Sequence, residues 1–241
     1  MASPSGSDSV VPLGLRRELR RIWSQLRKAA LRARLGERWS DGEAVARRRY
    51  PDYGTYLEHQ RLKLDALRAT SLQGHDERFH AALTERLARC PAELAGRSVL
   101  CLAARAGTEV RAFIERGAFA VGVDLNPGRD NRWVVVGDFH GLQYAGVSVD
   151  VVYTNSVDHA FELERMLAEV WRVLKPGGTL IVELGLGTDE GGGRGFYEAL
   201  SWRRPDQIIV RIESAGFRAG ARTPFEIPWP GVQVVLTKPT G

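Results

Sequence analysis

From about residue 93 onward the chain alternates short apolar runs with stretches of helical periodicity, and this alternation limits the fold more than any other feature. The apolar runs stand at about Ser98–Ala103, Ala118–Leu125, Trp133–Val136, Val149–Thr154 and Thr179–Leu184. Between them, Thr108–Arg116 and Glu162–Leu174 repeat apolar residues every three or four positions. Strands that alternate with helices predict crossover units, and therefore a parallel sheet covered on both faces. A helix over Pro205–Ala215 and strands near Phe217–Thr223 and Gly231–Lys238 close the pattern, whereas the glycine-rich residues 185–195 suit neither element. A chain of 241 residues with 44% hydrophobic side chains buries one large core and a small cap, not two full domains.

The division expected is a Ser/Gly/Pro-rich disordered tail over residues 1–12, a helical cap over 13–92 and the sheet domain over 93–241. Within the cap, Leu15, Leu19, Ile22, Leu26, Ala29 and Ala33 fall on one face of a helix over Leu13–Leu35, and Arg16, Arg17, Arg20, Arg27 and Lys28 on the other. A second helix follows the turn at Tyr50-Pro51 and runs to about Thr70. A third spans about Asp76–Arg89 and stops at Pro91.

Residues 13–50 hold twelve Lys/Arg against four Asp/Glu, so the net charge of +5 belongs to the N-terminal region. This basic face is open to three readings: a solvated cap, attraction to an anionic substrate or nucleic acid, and peripheral contact with a membrane surface through Trp23. Only four of the 34 basic residues are lysine, and no recognised nucleic-acid module is present, which argues against nucleic acid. No run of 18 apolar residues and no basic-then-apolar leader occurs, so a cytoplasmic location is expected. Cys90 and Cys101 form no framework and have no histidine cluster beside them, which predicts neither a disulfide nor a metal site.

A doubly wound sheet binds ligands beyond the carboxyl ends of its strands. Asp124 ends the second run, 17 residues after Gly107, where such folds place a carboxylate for ribose hydroxyls, with Leu125 beside it. Asp138 and Phe139 end the third run and combine an acceptor for an adenine amino group with an apolar surface for its ring. Turn-starting or capping roles remain the plainer alternatives for both carboxylates.

The segment Arg172-Val173-Leu174-Lys175-Pro176-Gly177-Gly178, followed by an apolar strand, resembles the corresponding turn of class I S-adenosylmethionine-dependent methyltransferases of the type 11 kind. The resemblance covers about residues 93–240. It implies a Rossmann-like sheet of seven strands, mostly parallel with the last antiparallel, and S-adenosylmethionine as cofactor. It also implies Asp124 as ribose ligand, Asp138 as adenine ligand, and Asn155 in the loop between cofactor and substrate. Pro176 is expected to end the preceding helix and the two glycines to allow the reversal into the next strand.

The first turn departs from the family pattern. Cys101 stands where an acid is usual, and Ala103 and Arg105 stand where the first two glycines belong, leaving Gly107. Two accounts follow: a rebuilt site in which Arg105 meets the methionine carboxylate and Glu109 its ammonium, or a closed pocket.

A general base is needed only for a weakly nucleophilic acceptor. His159, beside Asp158, is the leading candidate and His140 the second, against a plain helix-start role for His159. Tyr50, Tyr53, Tyr56, Phe196, Tyr197 and Trp202 are candidates for a substrate pocket under the cap, with the glycine segment as a lid. The expected function is methyl transfer to a small molecule or glycan at oxygen or nitrogen. Its serious rival is a non-catalytic binding protein on a degenerate methyltransferase core. A nicotinamide-dependent oxidoreductase would need a better glycine fingerprint. The sequence sets no oligomeric state.

Overall fold

The computed structural model describes residues 38–40, 44–68 and 73–240, together with helical positions scattered between residues 18 and 34. The expected tail, and most of the first expected helix, lie outside the described residues. Helices α1 (Tyr53–Arg68) and α2 (Gln73–Arg89) precede the sheet. Its strands are β2 (Ser98–Leu102), β3 (Phe119–Asp124), β4 (Val134–Val136), β5 (Val149–Thr154), β6 (Leu174–Gly185), β8 (Arg218–Phe225) and β9 (Gly231–Thr237). Helices α3 (Thr108–Glu115), α4 (Leu163–Val173) and α5 (Asp206–Ser214) connect them.

The seven strands lie in the order β4-β3-β2-β5-β6-β9-β8. Pairing is parallel from β4 to β6, while β9 runs antiparallel to both of its neighbours. This is the expected mostly parallel sheet with an antiparallel last strand. The strand order reverses between β2 and β5, so the crevice beyond Leu102 and Thr154 is the topological switch point where such sheets bind ligands.

Each helix forms because its apolar residues recur on one face. In α4, Leu163, Met166, Leu167, Val170 and Val173 are all buried and pack with Ile208, Ile209 and Ile212 of α5 against one face of the sheet. Phe79, Leu83 and Leu87 of α2, with Val110 and Phe113 of α3, cover the other face over Val99, Tyr153 and Ile181. Two apolar layers thus sandwich the strands, as a doubly wound sheet requires.

Two details differ from the sequence expectation. The helix α4 ends at Val173, three residues before Pro176, because Leu174 is already extended at φ −68° and ψ 135° and begins β6. Of the two glycines, Gly177 takes the left-handed conformation, at φ +74°. The second difference is a two-stranded antiparallel ribbon of β1 (Val45–Arg47) and β7 (Leu200–Trp202), which ties the segment before α1 to the end of the glycine-rich segment. Cys90 and Cys101 are free, and among the described residues no cluster of His, Cys, Asp or Glu suits a metal ion. Among the same residues no helix is long and apolar enough to cross a membrane.

Candidate active site

The turn after β2 is built on unusual backbone. Ala103 and Arg105 lie at φ +55° and +46°, the left-handed region that costs a residue with a Cβ about 1–2 kcal/mol. The turn therefore keeps the shape that glycines would give it, with the side chains of Ala103 and Arg105 added. Gly107 follows at φ +86°, and a Cβ there would sit 2.6 Å from Cβ of Trp133, so no other residue fits. The rim of β3 holds the strained turn: Oδ2 of Asp124 accepts the N–H of Arg105 at 2.9 Å, and Oδ1 accepts that of Asn126 at 2.8 Å.

Arg105 and Glu109 face one another at 3.9 Å across the first turn of α3, with Asp76 of α2 at 4.0 Å from the same guanidinium. Glu109 is 1% exposed, and its Oε2 has no hydrogen-bond partner although Asn155 donates to Oε1 at 3.3 Å. Burial, only partly offset by Arg105, pushes the Glu109 carboxyl up to about 7. A buried carboxylate with an open acceptor costs stability unless something donates to it. It lies beside Cys101, the residue that replaces the usual acid, and the charge of Glu109 adds to burial in raising the Cys101 thiol.

Asp138 has both oxygens engaged. Oδ2 accepts the Tyr53 hydroxyl of α1, and Oδ1 accepts the backbone N–H of His140 at 2.9 Å and its Nδ1–H at 3.0 Å. Burial raises this carboxyl, but the hydrogen bonds from His140 and Tyr53 outweigh it and hold the pKa below the usual range. The other ring nitrogen of His140, Nε2, accepts the N–H of Glu162 at 3.2 Å. Both nitrogens of His140 are committed and it is 1% exposed, so it orients Asp138 and offers no free nitrogen to either hollow. Phe139 is buried in the sheet core and shows only part of its ring to the cleft.

His159 sits in a short 3-10 turn after β5, with its ring fixed from one side. Nδ1–H donates to the carbonyl of Tyr197 at 2.9 Å, so Nε2 carries the lone pair and faces the Lys63 ammonium of α1. Oδ2 of Asp158 is 3.6 Å from Nε2. Burial outweighs Asp158 and lowers the imidazole to about 4, leaving it neutral at pH 7. Burial likewise brings Lys63 down to about 8 and, joined by the charge of Asp158, lifts Glu198 to about 7.

Two hollows meet here. A cleft of about 40 Å³ is lined by Ala103, Arg105, Asp124, Leu125 and Phe139 from the sheet rim and by Tyr56, Gln60 and Lys63 from α1. A cavity of about 630 Å³ lies beyond it, lined by Asn155, Asp158, Glu198, Phe196, Tyr197, Trp202 and Trp229 and walled by the glycine-rich segment. Lys63, Arg105, Ser156 and His159 line both. Of the aromatic candidates, Phe196, Tyr197 and Trp202 line the larger cavity and Tyr56 the cleft, whereas Tyr50 and Tyr53 line neither.

Sequence reasoning passed over Lys63 because a lysine on a polar helix reads as solvated. The available signal was its rarity among the arginines, with four lysines in 34 basic residues. The two outside the cap are also committed, Lys175 to Asp150 and Lys238 to the carbonyls of Trp171 and Leu174.

A doubly wound seven-stranded sheet with carboxylates on its rim at the switch point, its last strand antiparallel, and a cavity adjoining is the Rossmann-like methyltransferase fold. Residues 100–182 match the family model described as a methyltransferase domain. Among curated proteins none matches the chain. Among solved structures, Burkholderia thailandensis 1,6-didemethyltoxoflavin-N1-methyltransferase, with 1,6-didemethyltoxoflavin and S-adenosylhomocysteine bound, is similar at a TM-score of 0.63 and 15% identity, over 83% of this chain and 98% of that one. The complex of the Haloferax volcanii Trm112 methyltransferase activator with a methyltransferase matches at 0.59 and 21% identity, over 73% and 98%. An Aquifex aeolicus methyltransferase matches at 0.55 and 16%, over 67% and 93%.

Proposed function

We propose that this chain methylates a compact acceptor, a small molecule or glycan, at oxygen or nitrogen, and that the acceptor occupies the 630 Å³ cavity. The observation that carries the reading is the position of His159 on both hollows with its tautomer fixed by the Tyr197 carbonyl. The cavity volume lies within the several-hundred-Å³ range of small-molecule sites, and its wall of Phe196, Tyr197, Trp202 and Trp229 suits a planar or partly apolar acceptor.

The donor set suits the cofactor. Arg105, Asp124, Leu125 and Phe139 line the cleft, and Glu109, with its unpartnered Oε2, stands 3.9 Å from Arg105. This set would take the zwitterionic end on Arg105 and Glu109, the ribose on Asp124 and Leu125, and the adenine on Phe139 and, once freed of Tyr53, Asp138. When bound, S-adenosylmethionine supplies an electrophilic methyl group on a sulfonium. The protein's part is to align the acceptor and exclude water, since in-line displacement depends mainly on positioning. For a hydroxyl acceptor, Nε2 of His159 takes the proton as the new bond to carbon forms, with the Asp158 carboxylate at 3.6 Å favouring the imidazolium.

The test is transfer of label from methyl-tritiated S-adenosylmethionine into a size-fractionated cell extract. Label in the small-molecule or glycan fraction, lost with His159→Gln, is the expected result. Label confined to protein or nucleic acid would refute the acceptor class.

A further inference from the structure

The cleft that carries the cofactor rim holds only about 40 Å³, against the several hundred that a nucleoside-sized ligand fills. The space is taken by one element. Tyr56, Gln60 and Lys63 of α1 face Ala103, Asp124, Leu125 and Phe139 across it, and the Tyr56 hydroxyl donates to the carbonyl of His159 at 3.0 Å. The helix is latched to the rim as well, because Nδ2 of Asn126 donates to the carbonyl of Arg61 at 2.7 Å.

The chemistry of these contacts parallels that of the ligand. Tyr53 gives Asp138 an O–H donor where an adenine would give an N–H donor. Lys63 brings an ammonium among the charges of Asp158, Asp124 and Glu198, with Arg105 opposing it, and hydrogen-bonds to Nε2 of His159. A sulfonium donor placed in the same junction would meet that ammonium as a like charge.

We infer that α1 is a tethered competitor of the cofactor: its Tyr56, Gln60 and Lys63 fill the cleft while its Tyr53 holds Asp138, and the cofactor enters only as this helix moves out. This rests on the reading of Asp124 and Asp138 as the cofactor rim. A second consequence is that displacement of α1 removes Lys63 from Nε2 of His159, so the base is released by the event that admits the donor. Filling the cleft and releasing the base become one transition between two states of the helix.

The experiment is calorimetric titration of the full chain with S-adenosylhomocysteine, for wild type, Tyr53→Phe, Lys63→Gln and Asp124→Ala, with hydrogen exchange of the α1 amides followed in parallel. Tyr53→Phe keeps the ring contacts with Tyr56 and Phe161 and removes only the hydroxyl, which donates to Asp138 and lies 3.0 Å from Nδ1 of His140. The expected result is affinity about tenfold higher for Tyr53→Phe and for Lys63→Gln, the effect of deleting one charge-assisted hydrogen bond from the closed state. Exchange across α1 in wild type rises at saturating ligand. Affinities at or below wild type in both variants, or α1 amides that become more protected on saturation, overturn the inference. If binding is then still lost in Asp124→Ala, the rim assignment survives alone. If Asp124→Ala binds like wild type, or no form binds, that assignment falls too.

Discussion

The N–H of Arg105 donates to Oδ2 of Asp124 at 2.9 Å, so the carboxylate that ends β3 fixes the turn that ends β2. One residue thereby shapes the rim of the cleft and restrains backbone that would otherwise relax. The same turn carries left-handed strain at Ala103 and Arg105. Ala103→Gly is expected to stabilise the protein by about 1 kcal/mol, raising Tm by about 2–4 °C by differential scanning calorimetry. An unchanged or lower Tm would mean that the left-handed turn stores no strain.

Glu109 gives the clearest pH dependence. Its folded pKa, about 7, lies above the unfolded value near 4.5, so between these values the folded state holds more protons. Its contribution is fully present below pH 4.5 and is lost as pH rises through 7. Glu109→Gln should therefore raise stability by about 3 kcal/mol at pH 8, with little change at pH 4.5, read from urea unfolding at both pH values. The same variant should weaken S-adenosylhomocysteine binding. A substitution that stabilises the fold while impairing the site identifies a carboxylate kept for its ligand.

The imidazoles of His59 and His159 behave in the opposite sense. Burial depresses both to about 4, below the ordinary value of 6.5, so the unfolded chain binds more protons in that interval. Stability supplied by their neutral forms is complete above pH 6.5 and is lost as pH falls toward 4. His59→Phe should flatten the fall of Tm between pH 6.5 and 4.5, and an unaltered slope would contradict the assignment.

Arg86 and Glu183 form a bidentate pair at 2.8 and 3.0 Å at the wall of the 630 Å³ cavity, and Tyr153 and Gln233 also donate to Glu183 at 2.9 Å each. Arg86→Met leaves a buried carboxylate without its cation and should cost about 3–5 kcal/mol. Adding Glu183→Gln should restore much of that loss. If the double variant is no more stable than the single one, packing of Arg86 on Phe225, not charge pairing, carries the contribution.

Catalysis by His159 predicts that His159→Gln slows transfer to a hydroxyl acceptor by about 10²–10⁴-fold, while S-adenosylhomocysteine binding persists. Equal loss of both would make the histidine a scaffold for the cleft.

The sheet was legible in the sequence because strands such as Val149–Thr154 are buried on both faces, and α4 because its apolar face repeats without interruption. The place of Asp124 and Asp138 on the sheet rim was legible because strand ends locate it. The ribbon of Val45–Arg47 with Leu200–Trp202 was not, since three-residue strands carry no period and pair across more than 150 positions. Nor was the state of Asp138. Its partner Tyr53 lies 85 residues away on a helix whose own periodicity gives no sign of the cleft. The sequence displays the imidazole of His140 but not what its two nitrogens already hold.

The β1–β7 ribbon has a mechanical consequence. It joins Val45, a few residues before α1, to Trp202 in the wall of the acceptor cavity, and its antiparallel ladder resists stretching. A displacement of the segment before α1 would therefore be passed directly to Trp202 in the cavity wall, through a ladder only three residues long.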